Sequence, residues 1–210
     1  MAQEKYLMKI TVKIDKKLLA FYAGQGRNGG ALTRALRTPI GQKIESAQDN
    51  LVKKFLADPI SQEILEGPDV MNNPSGTLGG YGGLFSFIGF YRDASPVDDV
   101  TNLLLQPINF RLKSIGNSRF EIDTNFISKD ELLKKSSTMS PIPWNVGRSW
   151  LDAIEHGISG LGQYLNTSKE TDYSRSGRGL QIKAQLRGGK FANRTYISKY
   201  LSEFEKEVKS

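Results

Sequence analysis

TPIGQKIESAQDNLVKKFL, residues 38–56, decides the fold class. Ile40, Ile44, Ala47, Leu51 and Phe55 recur at three- and four-residue steps, the spacing that puts apolar side chains on one helical face. Thr38 supplies a capping hydroxyl and Pro39 suits the first helical position, so the reading starts a long helix at Pro39 and ends it near Leu56. Asp58-Pro59 repeats the same device for a short helix that stops at Gly67, with Pro68 beyond. On the N-terminal side, Tyr6 to Ile14 alternates strictly: Met8, Ile10, Val12 and Ile14 fall on one face of a strand, and Lys9, Thr11 and Lys13 on the other. Between strand and helix, Gly24-Gln-Gly-Arg-Asn-Gly-Gly30 lacks the Lys-Ser/Thr that completes a phosphate-binding loop and reads as a flexible loop.

C-terminal to the helices, residues 72–83 (NNPSGTLGGYGG) can bury almost nothing, so they are expected to form a flexible, partner-dependent arm. Leu84, Phe85, Phe87, Ile88 and Phe90 form an apolar run that fits a buried strand. Pro96 to Leu105 reads as a helix stopped by Pro107, with Asp98-Asp99 at the positive end of its dipole. Gly116-Asn117 marks a hairpin turn between strands 109–115 and 118–124, with Phe120 and Ile122 facing inward. Ser128-Lys-Asp-Glu131 has capping-box spacing before another helix, and the Ser/Thr tract at 136–140 reads as a linker. Trp150, Ile154 and Ile158 share a helical face, Leu180 to Leu186 alternates as a strand, and Ile197, Leu201, Phe204 and Val208 stripe a final helix. The expected fold is α+β: a small, mainly antiparallel sheet packed by a long helix, with extended flexible loops. Residues 1–135 are read as the core and 141–210 as an extension packed on it.

The bulk composition narrows the function. The chain has 38% hydrophobic residues, 24% charged residues and 21 glycines, a globular balance that is lean in core material. It has no cysteine, which excludes disulfides, thiolate nucleophiles, cysteine zinc sites and iron–sulfur clusters. No apolar run approaches the roughly 20 residues that span a bilayer, and no signal-peptide core is visible at the N-terminus. No membrane role and no export signal are therefore expected. With 29 Lys and Arg against 22 Asp and Glu, the net charge is +7 and favours a polyanion or an acidic protein face.

Residues that could carry chemistry are sparse. His156 is the single histidine, and no serine lies in a nucleophile elbow. Asp98, Asp99, Glu121, Asp123, Asp130 and Glu131 show neither calcium-loop nor histidine-ligand spacing. No catalytic residue, metal or cofactor is expected, and the chain is not read as an enzyme. Ser174-Arg-Ser-Gly-Arg178 fits three readings: two guanidinium forks on a phosphate, contact with an acidic neighbour, or a solvated loop. Arg187 and Lys190 extend the same basic set.

Two stretches carry a resemblance. An N-terminal strand, a helix over 39–56, the segment Pro74-Ser-Gly-Thr-Leu78 and a Phe-rich strand at 84–90 resemble neck or tail-completion proteins of tailed bacteriophages. Ile142-Pro-Trp144, Trp150 to Ile158 and Ser174-Arg-Ser-Gly177 resemble a block in uncharacterised virion proteins of large tailed phages. The resemblance implies a structural subunit forming a ring at the head–tail junction, made in the host cytoplasm and residing in the virion. It implies Pro74, Ser75, Gly76, Thr77 and Leu78 as a subunit-contact loop and Arg175, Ser176 and Gly177 as a second contact segment. The implied partners are identical subunits, adjacent connector, terminator or tail proteins, and DNA in a channel. Two alternatives stand beside it: a tail-terminator ring protein of the same particle, and a nucleic-acid-binding module with Arg175, Arg178, Arg187 and Lys190 on phosphates.

Overall fold

The structure is a computed structural model that describes residues 8–13, 17, 29–69, 83–116, 119–142, 147–155, 164–165, 184–185 and 195–210. In chain order the elements are β1 (Met8–Lys13), α1 (Gly29–Leu56), α2 (Pro59–Leu65), α3 (Leu84–Ile88), α4 (Pro96–Leu104) and the hairpin β2 (Phe110–Gly116) and β3 (Arg119–Thr124). Then follow α5 (Lys129–Met139), α6 (Trp150–Glu155), the short strands β4 (Tyr164–Leu165) and β5 (Ala184–Gln185), and α7 (Ile197–Lys209). A 3₁₀ turn at Gly67–Asp69 follows α2. This is the expected α+β class, and the chain divides into two compact units that interleave in sequence.

The first unit takes residues 1–52, 104–128 and 200–210. Its sheet has the order β1-β3-β2, antiparallel throughout, with Ile10 and Leu112 both opposite Ile122 in the central strand. The alternation read from the sequence holds: Ile10, Phe120 and Ile122 are buried while Thr11, Arg111 and Lys113 are exposed. One residue of slack appears in the hairpin, where the register shifts between Ser114 and Gly116; the bulge absorbs Ile115 ahead of the turn. Asn125 prolongs the hairpin, donating its N–H to the Asn109 carbonyl and accepting the Asn109 N–H on Oδ1 at 2.6 Å.

Helix α1 begins ten residues before the expected start and carries Pro39 in its interior. Leu36 explains why. It extends the stripe Ile40, Ile44 by one step and buries against Phe120, with Ile40 and Leu112 packed around the pair. An interior proline costs a helix about 3 kcal/mol, and burying Leu36 offsets about 2 kcal/mol of that. Gly29 and Gly30, expected in a flexible loop, open this helix; residues 24–28 of that loop lie outside the described residues.

Gly41 faces Phe110, whose Cε1 would stand 3.5 Å from an added Cβ, an ordinary van der Waals distance. Gly41→Ala is therefore expected to raise stability by about 0.5–1 kcal/mol, because alanine restricts the unfolded chain and suits the helix. Denaturant unfolding at constant m-value checks this. Buried Gln48 in the same helix donates Nε2 to the carbonyls of Leu104 and Gln106 at 2.7 and 2.9 Å, satisfying acceptors where α4 ends. Phe204 of α7 stacks on Phe126 with ring centroids 4.3 Å apart.

The second unit takes residues 53–103 and 129–199. A chain of aromatic rings forms its centre. Phe55 packs on Tyr196 at 5.5 Å between centroids and Tyr196 on Trp150 at 6.3 Å. Trp150 then meets Phe90 edge-on at 5.6 Å, and Phe90 meets Phe85 at 5.3 Å. Helix α2 starts as expected: Asp58 Oδ1 accepts the Ile60 N–H at 2.8 Å, Pro59 follows, and Gly67 at φ 78° turns the chain after it.

Two expectations fail in this unit. The run Leu84–Phe90 is not a strand: Leu84–Ile88 is a short helix closed by Gly89 in the left-handed region at φ 83°. Leu84, Phe85 and Ile88 satisfy three- and four-residue spacing as well as they satisfy a continuous strand, and the flanking Gly83 and Gly89 favour the helix. The tract at 136–140 is not a linker either, since α5 runs through Met139. Its hydroxyls bond back into the structure. Ser136 is buried and pairs with the Leu133 carbonyl at 2.9 Å and with Ser149 Oγ at 2.7 Å, while Ser140 donates to the Asp99 carboxylate. Strand β5 falls inside the expected strand 180–186 and pairs antiparallel with β4, a strand with no counterpart among the expected elements.

Candidate interaction site

The segment 70–82, which contains Pro74, Ser75, Gly76, Thr77 and Leu78, lies outside the described residues, but both ends of it are described. At the entry, Asp69 closes the 3₁₀ turn and pairs with Arg92 at 3.2 Å. At the exit, the backbone N–H of Leu84 donates to Glu63 Oε1 at 2.7 Å. Glu63 is fully buried and projects from α2, so a carboxylate held by one helix supplies the acceptor that starts the next. Ser86 adds a third tie, donating to the Pro68 carbonyl at 3.4 Å. Entry and exit are thus fastened to the same small group of helices.

A cleft of about 180 Å³ opens beside this base. Ile64, Phe85 and Val97, each almost fully buried, form its floor. Leu65, Pro68 and Pro96 make its walls, and Arg92 and Asp98 stand at its mouth. Leu65 is 41% exposed, and Tyr91, next in sequence to the lining residue Arg92, is 50% exposed.

Glu155 is a second polar hub in this unit. Its nearly inaccessible carboxylate receives Lys129 Nζ at 2.5 Å, the Ser198 N–H at 2.5 Å and the Ser198 hydroxyl at 2.6 Å, tying the ends of α5, α6 and α7. Burial on its own raises the pKa of this group. Hydrogen bonds from Lys129 and Ser198 and the Lys129 charge outweigh that and hold it below its ordinary value of 4.5. A carboxyl whose folded pKa is depressed contributes stability that is present above 4.5 and is lost as pH falls through the folded value. Unfolding free energy is therefore expected to decline on acidification below 4.5, and Glu155→Gln to flatten that part of the profile. Urea titrations at neutral pH and at two acidic pH values check the slope.

Arg175, Ser176, Gly177, Arg178, Arg187 and Lys190 lie outside the described residues, as does His156. Asp98 and Asp99 occupy the first turn of α4 as expected. Among the described residues no group of three or more His, Asp or Glu side chains is placed to hold a metal ion. No helix among them is long and apolar enough to cross a membrane. The hydroxyl pair Ser61 and Tyr196, 2.5 Å apart, is buried and joins α2 to the start of α7. Asp69, Arg92, Glu63 and the cleft were missed in the sequence reading. One signal was available for Glu63: it stands between Ile60 and Ile64 at helical spacing, an acid on an apolar face.

Comparison with known proteins gave no match to a family model, a curated protein or a solved structure.

Proposed function

We propose that the chain is a structural subunit of a tailed-phage particle, a neck or tail-completion protein that forms a ring at the head–tail junction. The observation that carries this reading is the double fastening of segment 70–82 at its base, by Asp69–Arg92 on one side and Glu63–Leu84 on the other, next to a cleft with an exposed leucine. A segment rich in glycine and poor in core residues contributes little to its own fold. Holding its two ends rigidly has value when the segment meets something else, because the ordering entropy, about 1–2 kcal/mol per residue, is then offset at an interface. The fold adds support through the N-terminal strand, the long helix and the small antiparallel sheet. The Phe-rich run at 84–90 does not, since it is helical and departs from the resemblance at that element.

The test is genetic and structural. Particles produced without this chain should accumulate heads and tails that fail to join, and the chain should be found in mature particles by mass spectrometry. Normal particles formed without it would sink the reading.

A further inference from the structure

The cleft beside the described ends of segment 70–82 combines an apolar floor with an acidic surround. Asp98 stands at its mouth, and Asp69 is held there by Arg92. Glu66 lies between the lining residues Leu65 and Gly67, Asp93 between Arg92 and Ala94, and all four acids are exposed. Counting Arg92, this neighbourhood carries three net negative charges. Since the whole chain is +7, the remainder carries +10. An apolar floor under an acidic mouth suits a side chain with a hydrocarbon stem and a cationic head, which is the chemistry of lysine and arginine.

The sequence holds a matching counterpart. Residues 173–194 contain Arg175, Arg178, Lys183, Arg187, Lys190 and Arg194 and no acidic residue. More than half of the +10 therefore lies in a stretch of 22 residues.

Building on the ring-subunit reading, we propose that the cleft of one copy receives a lysine or arginine from the 173–194 stretch of a second copy. Cleft and stretch are made of different residues, so the contact can repeat head-to-tail from copy to copy, and such repetition closes into a ring when the rotation permits. Leu65, Pro68 and Pro96 line the stem, and Asp98 with its acidic neighbours meets the charge. Complementary charge of this kind sets register and encounter rate and weakens with added salt.

Paired charge reversals test the contact. Glu66→Lys with Asp98→Lys reverses the cleft, from −3 to +1, and Arg175→Glu, Arg178→Glu, Arg187→Glu and Lys190→Glu together reverse the stretch, from +6 to −2. The mass of each is followed by light scattering over a range of concentration and salt, with far-UV circular dichroism confirming that each is folded. The wild-type chain is expected to self-associate and to dissociate as salt rises. Each reversed chain alone should associate about tenfold more weakly, and mixing the two should restore association because each supplies the intact half that the other lacks. If the wild type associates while the reversals change nothing, or if both weaken it but the mixture stays dissociated, the cleft contact is wrong and the ring reading survives. A wild type that stays monomeric at every concentration overturns both. If that monomer binds a DNA oligonucleotide at low salt, the stretch is a phosphate site instead.

Discussion

Trp150→Ala should lower the unfolding free energy by about 4 kcal/mol, since Trp150 is the largest fully buried side chain among the described residues. Trp150 is fully buried at the middle of the aromatic chain, between Phe90 edge-on at 5.6 Å and Tyr196 at 6.3 Å. Removing it leaves a cavity that rings on both sides cannot fill without breaking their own contacts. Against a typical total of about 5–15 kcal/mol, that loss threatens folding outright. A companion variant separates packing from polarity. The indole N–H is buried and meets no acceptor among the described residues. Trp150→Phe removes that donor and keeps most of the ring, and is expected to cost only about 1–2 kcal/mol. A loss equal to that of alanine would mean that the N–H has an acceptor after all. Thermal and denaturant unfolding monitored by circular dichroism compare the two.

Glu63→Ala is the second large effect, at about 3 kcal/mol. It deletes a fully buried side chain and leaves the Leu84 N–H without its 2.7 Å acceptor. The consequence should be local before it is global, since this bond starts α3 and fixes the return of the chain from residues 70–82. Limited proteolysis under native conditions should then cut within 70–82 faster in the variant than in the wild type, by about a hundredfold if the full 3 kcal/mol acts on local opening. Glu63→Gln keeps the shape and an acceptor oxygen and should fall between them. Equal cleavage of Glu63→Ala and wild type would show that this carboxylate does not hold the segment.

Periodic elements were legible and ambiguous ones were not. Ile197, Leu201, Phe204 and Val208 are all buried at their expected spacing, and Ile10 beside Thr11 reproduces the strand alternation. The Asp58-Pro59 cap was legible because its chemistry is local. Pro39 misled the reading because a proline suits a helix start, whereas the stripe continuing through Leu36 depends on a distant partner, Phe120, which local sequence does not reveal. Residues 84–90 were too short for period to decide between helix and strand. The serines at 136–140 looked like a linker because their partners, Leu133, Ser149 and Asp99, are supplied partly by tertiary contact. The candidate site was half legible: glycine and polar content singled out residues 72–83, but the Asp69–Arg92 and Glu63–Leu84 ties span 23 and 21 residues and have no local signature.

The central claim is that this chain works by assembling with copies of itself. Its most direct test is the solution mass of the purified full chain by multi-angle light scattering, over a wide range of concentration at low salt. The account predicts a discrete closed multimer that becomes dominant as concentration rises, at a whole-number multiple of 23.4 kDa. A mass of 23.4 kDa at every concentration would contradict it.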